Sequence, residues 1–279
     1  MISIQDFSFT YKGESQPALQ DICLSVPEGG FLGVIGPAGA GKTTLARAIS
    51  GMIPHHYTGD YYGRVAVNGL DTVETSLSDI SRLVGMVFQD VDSQIISPMV
   101  EDEILYGLEN FGVAPEEIPA RMEEALQRVG IADLRDRTIG SLSGGQRQKV
   151  AIASIIALKP RVLVLDEPTG ELDPRSSRQV FSLLKELNEE QGITVVLIEQ
   201  KIMLLCEFAK QMAVLKDGKI VRQGDTRDVL SHADELQALG VNCPRVTTLS
   251  SLLEKKAGEK MPVCINLDEA ETMARGLIS

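Results

Sequence analysis

Two short glycine-containing segments of the chain carry residues suited to binding phosphate. The first is Gly36-Pro37-Ala38-Gly39-Ala40-Gly41-Lys42-Thr43, which matches the pattern G-x-x-x-x-G-K-[ST] of a loop that surrounds phosphate oxygens with backbone N–H groups. The second is Leu142-Ser143-Gly144-Gly145-Gln146, with a serine and two glycines at the predicted start of a helix. The N–H groups at such a start are unpaired and lie at the positive end of the helix dipole. The sequence therefore predicts two phosphate-binding segments of different chemistry.

An acidic pair, Asp166-Glu167, follows the apolar run 162–165, which we predict to be a buried strand. Lys42 is expected to reach the β- and γ-phosphates, while the Thr43 hydroxyl and Asp166 hold Mg²⁺. Glu167 is expected to orient or deprotonate the attacking water. Taken alone, an acidic pair in this position is more often a helix cap or a solvated turn. The phosphate loop upstream favours the catalytic interpretation.

Two further side chains are candidates for contact with a nucleotide. Gln89 stands at the end of a predicted strand, where an uncharged amide suits contact with both Mg²⁺ and water. A lone glutamine is normally a surface residue, so this interpretation depends on the wider pattern of segments along the chain. Tyr11 lies 25 residues before Gly36 and suits stacking on an adenine ring. A half-buried aromatic residue in a strand is an equally good interpretation of Tyr11.

Apolar periodicity predicts the elements that position these residues. Alternating apolar residues predict strands within the first thirty residues and again at 64–68. The apolar strand Phe31–Ile35 leads directly into the phosphate loop, and a helix over 43–49 follows the loop. This strand–loop–helix order is the context that the phosphate-loop pattern requires.

The middle of the chain is predicted to be helical, from Asp90 to about Ser141. Its clearest helix has an apolar face made of Ile118, Met122, Leu126 and Val129. Ser143 then caps a helix to about Leu158, and further strands and helices follow to a predicted hairpin at Asp217-Gly218. The tail from about Asp225 begins as helix and is of mixed character after Gly240.

Composition restricts the class of protein. The 279 residues are 43% hydrophobic, which supports a proper core, and the formal net charge of -12 argues against a general nucleic-acid binder. The four cysteines fit no zinc or redox spacing and are predicted to be ordinary thiols of a reducing compartment. The N-terminus has no pattern of a signal peptide, and no apolar run approaches the ~20 residues of a membrane span. We therefore expect a soluble, cytoplasmic protein.

In order and spacing, these segments resemble those of the nucleotide-binding subunits of ABC transporters, over nearly the whole chain. The matching segments are Gly36 to Thr43 (Walker A), Gln89 (Q-loop), Leu142 to Gln146 (signature), Val162 to Glu167 (Walker B) and Leu172-Asp173 (D-loop). Segments 51–55, 88–94, 100–104 and 107–110, with the tail after Leu236, are similar to the energy-coupling-factor type. That type powers the uptake of vitamins and transition-metal ions.

The resemblance implies an α/β fold with a P-loop NTPase core, that is, a mostly parallel sheet flanked by helices. An antiparallel β-subdomain and an inserted helical subdomain at about 90–145 complete a nucleotide-binding domain of residues 1–224. Residues 225–279 form a C-terminal extension, which the sequence leaves as either a dimer contact or a simple cover over the core, and the dimer contact is the interpretation we prefer. The implied cofactors are ATP and Mg²⁺. The implied ATP-binding residues are Tyr11, Gly36, Pro37, Ala38, Gly39, Ala40, Gly41, Lys42, Thr43, Thr44, Ser143, Gly144, Gly145 and Gln146. The implied metal ligands are Thr43, Gln89 and Asp166, and the implied catalytic residues are Glu167, Gln200 and Gln89.

The resemblance also implies partners. Two ATPase subunits, identical or different, would hold two ATP molecules head to tail, each site taking Walker A, Gln89 and Walker B from one subunit and the signature from the other. A transmembrane coupling subunit would dock on the helical insertion and the Q-loop region, and a separate membrane component would bind the substrate. The chain would then lie at the cytoplasmic face of the membrane, without a nucleic-acid partner.

The chain departs from the family pattern at two positions. The family has a histidine that contacts the γ-phosphate after the strand 193–198, and the matching residue is Gln200. Glutamine donates a hydrogen bond but carries neither a proton for transfer nor a positive charge at neutral pH. We therefore hypothesise slow hydrolysis at this chain's own Walker site. In addition, Glu171 precedes Leu172-Asp173, where a small residue is usual.

The leading interpretation is the energising ATPase of an uptake transporter. One alternative is a regulatory nucleotide-binding partner, which would lend its signature to a more active ATPase, and Gln200 is the feature that favours it. A second alternative is a soluble ABC protein acting on DNA or ribosomes. Such proteins typically carry long coiled-coil insertions or duplicated cassettes, and this chain has neither.

Overall fold

The computed structural model describes residues 1–258 and 260–278, so that Glu259 and Ser279 of the predicted C-terminal extension lie outside the described residues. The strands of the described part are β1 (Ile2–Tyr11), β2 (Leu19–Val26), β3 (Phe31–Ile35), β4 (Gly59–Val67), β5 (Leu70–Asp71), β6 (Val84–Val87), β7 (Val162–Asp166), β8 (Thr194–Ile198), β9 (Gln211–Lys216) and β10 (Lys219–Asp225). The α-helices are α1 (Lys42–Ile49), α2 (Met52–His55), α3 (Leu77–Ser81), α4 (Val100–Asn110), α5 (Ile118–Val129), α6 (Gly144–Ala157), α7 (Pro174–Gln191), α8 (Ile202–Phe208), α9 (Thr226–Leu230), α10 (Ala233–Ala238), α11 (Arg245–Ala257) and α12 (Leu267–Ile278).

The strands form two sheets that differ in direction. One has the order β10-β9-β3-β8-β7-β6, in which neighbouring strands from β9 to β6 are parallel and β10 pairs antiparallel with β9. The other has the order β2-β1-β4-β5 and is antiparallel throughout. The predicted α/β fold, a mostly parallel core with an antiparallel subdomain and a helical insertion, is confirmed.

The central strands of the larger sheet are covered on both faces. Every residue of β3, β7 and β8 is buried. In β7, Leu163 and Leu165 pack in the cluster that contains α5, α6 and α7, whereas Val162 and Val164 pack in the cluster that contains α1 and the antiparallel sheet. Such strands are continuous apolar runs because neither face meets water. The first polar residues after each strand therefore come at the carboxyl edge of the sheet, where the side chains of the site lie.

A helical segment separates the edge strand β6 from α6. Helices α4 and α5 pack against α6, and the predicted apolar face of α5 is buried, from Ile118 through Met122 to Val129. Gly130 ends α5 with a backbone φ of 70°, a left-handed conformation that glycine adopts without strain.

The tail contains more helix than the sequence pattern indicated. Helices α11 and α12 follow Gly240, where we expected mixed structure. They pack around a small separate cluster made of Val246, Met261, Cys264, Ala270 and Met273. The apolar positions of this cluster are contributed by both helices and the segment between them, so the cluster does not correspond to one face of a single helix. No helix of the described residues is both long and apolar enough to cross a membrane.

The phosphate loop fits closely against the neighbouring strand β9. A Cβ atom added to Gly36 would lie 2.1 Å from the backbone oxygen of Leu215, whereas one added to Gly39 would meet open space. Gly36 has a φ of 154° and Gly39 one of 74°, so an alanine is strained at both positions, but only at position 36 does it also clash with backbone.

We predict that Gly36→Ala lowers the free energy of unfolding by about 1–3 kcal/mol more than Gly39→Ala, the range typical of overpacking. Urea unfolding of the nucleotide-free protein, followed by circular dichroism, measures the difference. Equal unfolding midpoints for the two variants would contradict the close contact.

Candidate nucleotide-binding and hydrolysis site

The loop between β3 and α1 holds its lysine against its own backbone. The Lys42 ammonium donates hydrogen bonds of 3.0 Å to the backbone oxygens of Gly36 and Pro37, and the residue is 8% exposed. The backbone N–H of Ala40 donates to Pro37 O at 3.3 Å, and Gly39 and Gly41 have positive φ, so the loop turns tightly before α1. A compact loop with a lysine folded over it is the arrangement that binds phosphate groups.

Asp166 and Thr43 meet beside this loop. Asp166 ends β7 and is 2% exposed, and the Thr43 hydroxyl donates a hydrogen bond to its carboxylate. Burial raises the pKa of Asp166, and the negative charge of Glu167 raises it further, against the opposing effects of Thr43, Lys42 and Arg47. The ionised form of this carboxylate is therefore destabilised, because the nearby positive charges do not fully compensate for its burial.

The oxygen atoms near Asp166 fit Mg²⁺. A hydroxyl, a carboxylate and the amide of Gln89 line one cleft, and Mg²⁺ prefers such oxygen ligands, commonly one or two carboxylates together with substrate phosphates. The described residues include no cluster of three or more histidine, cysteine or acidic side chains able to hold a metal ion.

The Glu167 carboxylate is held between two amides. The Gln89 amide Nε2 donates to Glu167 Oε2 at 3.1 Å, and the Gln200 amide Nε2 donates to Oε1 at 2.7 Å. The Glu167 backbone N–H donates to Ile198 O at 2.9 Å, and the Gln148 amide donates to Glu167 O at 3.3 Å. Glu167 has a φ of 50°, a left-handed conformation that costs about 1–2 kcal/mol in a non-glycine residue. The backbone bonds hold the residue there, and the amides set the direction of its carboxylate.

Two charged residues beside Gln200 escaped the sequence analysis. Glu199 is 3% exposed, and its Oε1 accepts hydrogen bonds from the backbone N–H groups of Gln200 and Lys201 at 3.1 and 3.4 Å. Its Oε2 accepts a 2.8 Å bond from the Thr169 hydroxyl, and burial raises the pKa of Glu199. The Lys201 ammonium donates to Thr169 O at 2.6 Å and to Leu172 O at 2.9 Å. The available signal was the presence of two charged residues, on either side of Gln200, directly after the apolar run 195–198.

Tyr11 lies near the loop but already has several partners. Its hydroxyl shares a 3.1 Å hydrogen bond with Thr44 and accepts one of 3.0 Å from Arg47. The Tyr11 ring packs edge-to-face on Phe9 and Tyr57, and the Arg47 guanidinium lies 4.1 Å from the centre of the Tyr57 ring. Stacking of Tyr11 on adenine stays a prediction.

The second predicted phosphate-binding segment lies at the start of α6. Ser143 is its N-cap: the Ser143 hydroxyl accepts a 3.3 Å bond from Gln146 N, and Ser143 N donates a 3.0 Å bond to the Gln146 side chain. This reciprocal capping box fixes the helix start. Gly144 and Gly145 follow and present backbone without side chains.

The two segments line different cavities. Thr43, Gln89 and Asp166 line a cleft of about 710 Å³ to which none of the residues 142–146 contributes. The signature-like residues 143–146 line a cavity of about 490 Å³ together with Leu172 and Asp173. Among the described residues, the structure thus brings together Lys42, Thr43, Gln89, Asp166, Glu167 and Gln200, and leaves Ser143 to Gln146 apart from them.

Comparison with known proteins identifies relatives of this chain. A profile of the ABC transporter family matches residues 19–170. The energy-coupling factor transporter ATP-binding protein EcfA1 of Caldanaerobacter subterraneus subsp. tengcongensis is 42% identical over 260 residues, which are 92% of this chain and 92% of that protein.

Two solved structures share the fold. One is cbiO1 from Clostridium perfringens, part of the ABC transporter complex cbiONQ, with a TM-score of 0.74, 28% identity and coverage of 90% of this chain and 98% of that chain. The other is a dimeric post-hydrolysis state of the ATP-binding cassette MJ0796 bound to ADP and Pi, with a TM-score of 0.72 and 28% identity. It covers 81% of this chain and 99% of that chain.

The buried Asp166 makes stability depend on pH in a direction opposite to that of most carboxylates. Its pKa is raised in the folded protein, so the native state binds more protons than the unfolded state, and stability falls as pH rises through the raised pKa. We predict that Asp166→Asn increases the free energy of unfolding of the nucleotide-free protein at pH 7, and that this gain shrinks as pH falls through the Asp166 pKa.

Glu101→Gln is the matched control, measured in the same denaturant series between pH 4 and 8. The Arg135 guanidinium lowers the pKa of Glu101, so this variant should lose stability at pH 7 and lose less at acidic pH. A loss of stability in Asp166→Asn at pH 7 would show that burial of the charge is not the dominant effect.

Proposed function

The chain belongs to the ABC transporter family and is the ATP-binding subunit of a transporter. We propose that it hydrolyses ATP and thereby energises an uptake transporter of the energy-coupling-factor type. The observation that carries the proposal of hydrolysis is the carboxylate of Glu167, held by Gln89 and Gln200 beside the phosphate loop. The 42% identity to an energy-coupling factor ATP-binding protein supports the transporter type. Vitamins or metal ions are the substrate classes that we propose for such a transporter.

The proposed roles follow from the positions of the side chains. The loop backbone and Lys42 bind the β- and γ-phosphates, and the lysine exchanges its present bonds to Gly36 O and Pro37 O for phosphate oxygens. Thr43, Asp166 and Gln89 would hold Mg²⁺, which would supply positive charge to the phosphates. Glu167 orients the attacking water or accepts its proton. Because Asp166 is almost fully shielded from water, its interactions with a cation are stronger than they would be in solvent.

We propose that the working unit is a dimer in which each site is completed by the partner. The separate cavity of residues 143–146 supports this, since those residues do not reach their own phosphate loop. In a head-to-tail pair, the N-terminus of α6 of one subunit would meet the γ-phosphate bound by the other. Residues 1–224 would form the nucleotide-binding domain, and the extension 225–279 would add a dimer contact.

We further propose that a transmembrane coupling subunit docks on the helical segment and the Q-loop region, at the cytoplasmic face of the membrane, with a separate membrane component binding the substrate. Ile96 and Tyr106 support this: they lie in that region and are 69% and 49% exposed, large apolar side chains of the kind that mark interaction surfaces.

Purification of the tagged chain from native membranes tests the docking proposal. We expect a companion with membrane-spanning helices, and we expect Ile96→Asp to reduce its recovery by about tenfold or more, since an unpaired carboxylate in an apolar interface is costly. Tyr62→Asp is the control, because Tyr62 is 66% exposed on the antiparallel sheet. Companions that are only soluble proteins or nucleic acid would contradict the proposal.

We propose in addition that hydrolysis at the chain's own Walker site is slow, because the Gln200 amide holds Glu167 but transfers no proton. Gln200→His should raise kcat by about a hundredfold, the lower end of the range for acid–base catalysis. Steady-state phosphate release measures the rate. Gln200→Asn is the control, which shortens the amide without adding an imidazole and should not raise kcat. An unchanged rate in Gln200→His would contradict the hypothesis, and Glu167→Gln should abolish the rate in every background.

A further inference from the structure

On the basis of the dimeric ATPase proposed above, we propose that Glu171 occupies the start of α6 when no nucleotide is bound. Its carboxylate then stands where the partner's γ-phosphate must bind, and its charge raises the ATP concentration needed to close the dimer. Glu171 thus sets the nucleotide affinity of the site to which this chain lends its signature.

The contact between Glu171 and Gly144 is close. A Cβ atom added to Gly144 would lie 1.8 Å from Glu171 Oε2, so the carboxylate fills the space that a side chain at position 144 would take. Gly144 is the first residue of α6, directly after the N-cap Ser143. Glu171 also lines both the cleft of Thr43, Gln89 and Asp166 and the cavity of residues 143–146. The carboxylate therefore lies between the two sites.

The backbone of the turn that carries Glu171 is fixed, and the side chain is not. The Lys201 ammonium bonds to Thr169 O and Leu172 O on either side of the turn, and the Thr169 hydroxyl bonds to the buried Glu199. In the described part of the chain, the exposed Glu171 carboxylate has no hydrogen-bond or ion-pair partner of its own. It can leave Gly144 without breaking a structural bond.

The chemistry of the helix start explains why Glu171 and a phosphate exclude each other. The N-terminus of a helix carries a positive partial charge and favours one anion. The Glu171 carboxylate is attached to the protein, whereas a phosphate must bind from solution. The carboxylate also repels a second anion at the same place. A phosphate must displace it, and the magnitude of carboxylate–dipole interactions corresponds to about a two- to fivefold change in affinity per site.

The test is the half-saturating ATP concentration of the full chain. We expect Glu171→Gln to lower KM for ATP about two- to fivefold with kcat little changed, because the amide removes the charge and keeps the shape. The difference should shrink at 0.5 M salt, since screening weakens interactions between exposed charges. A Glu167→Gln background, in which bound ATP is not consumed, should show the same shift in ATP binding by equilibrium titration.

Two variants serve as controls. Glu171→Asp keeps the charge on a shorter side chain and should stay nearer to the parent than Glu171→Gln does. Glu189→Gln removes an exposed carboxylate from α7 and should leave KM unchanged, which separates a local effect from one of net charge.

The outcomes separate the role of Glu171 from the proposed ATPase function. An unchanged or raised KM in Glu171→Gln, a shift equal to that of Glu189→Gln, or a shift indifferent to salt would overturn the role of Glu171 while leaving the ATPase function intact. A parent chain that neither binds nor hydrolyses ATP would instead overturn the proposed function, and the role of Glu171 with it.

Discussion

The Glu167 carboxylate depends on three segments that are far apart in sequence. Gln89 follows β6, Glu167 follows β7, and Gln200 follows β8, and these are adjacent parallel strands of one sheet. Because the three strands run the same way, their carboxyl ends meet at one edge, and each strand delivers one polar side chain to the same place. Any change in strand order or register would separate the two amides from the carboxylate. The continuous apolar runs that fix the register therefore also fix the chemistry.

The same edge of the sheet concentrates negative charge, and this destabilises the nucleotide-free protein. Burial raises the pKa of Asp166 and of Glu199, so that their ionised forms are disfavoured. The two carboxylates differ in how they are compensated. Glu199 accepts two backbone N–H groups and the Thr169 hydroxyl, and Lys201 lies next to it. Asp166 has the Thr43 hydroxyl and the more remote charges of Lys42 and Arg47, and it is the only one of the two whose pKa is raised further by a neighbouring carboxylate, Glu167. Glu199 thus stabilises the local backbone through its hydrogen bonds. The negative charge of Asp166 would instead be stabilised by a bound cation.

The site residues that could be predicted from sequence are those that stand in short contiguous patterns. The loop ending in Lys42 and the helix start at Ser143 each carry their geometry within eight residues or fewer, and the acidic pair is marked by the apolar strand before it. The contacts of Lys201 and Glu171 could not be predicted in this way. The turn they involve is about thirty positions from Lys201 in sequence, and Glu171 meets Gly144 only because the turn folds back on α6. The pairing of α11 with α12 was missed for the same reason, since its apolar positions are shared among three segments.

The two predicted phosphate-binding segments are separate in space, yet a series of contacts joins them. Gln200 holds Glu167, the next residue, Lys201, bonds to both ends of the turn 169–172, and that turn places Glu171 against Gly144. The bonds of the Glu167 carboxylate and of the Lys201 ammonium are charge-assisted and therefore stronger than neutral ones. They hold the backbone of the turn to the segment after β8, whereas the Glu171 side chain has no hydrogen bond or ion pair among the described residues. A rearrangement at this place would therefore begin with the Glu171 side chain rather than with the backbone of the turn.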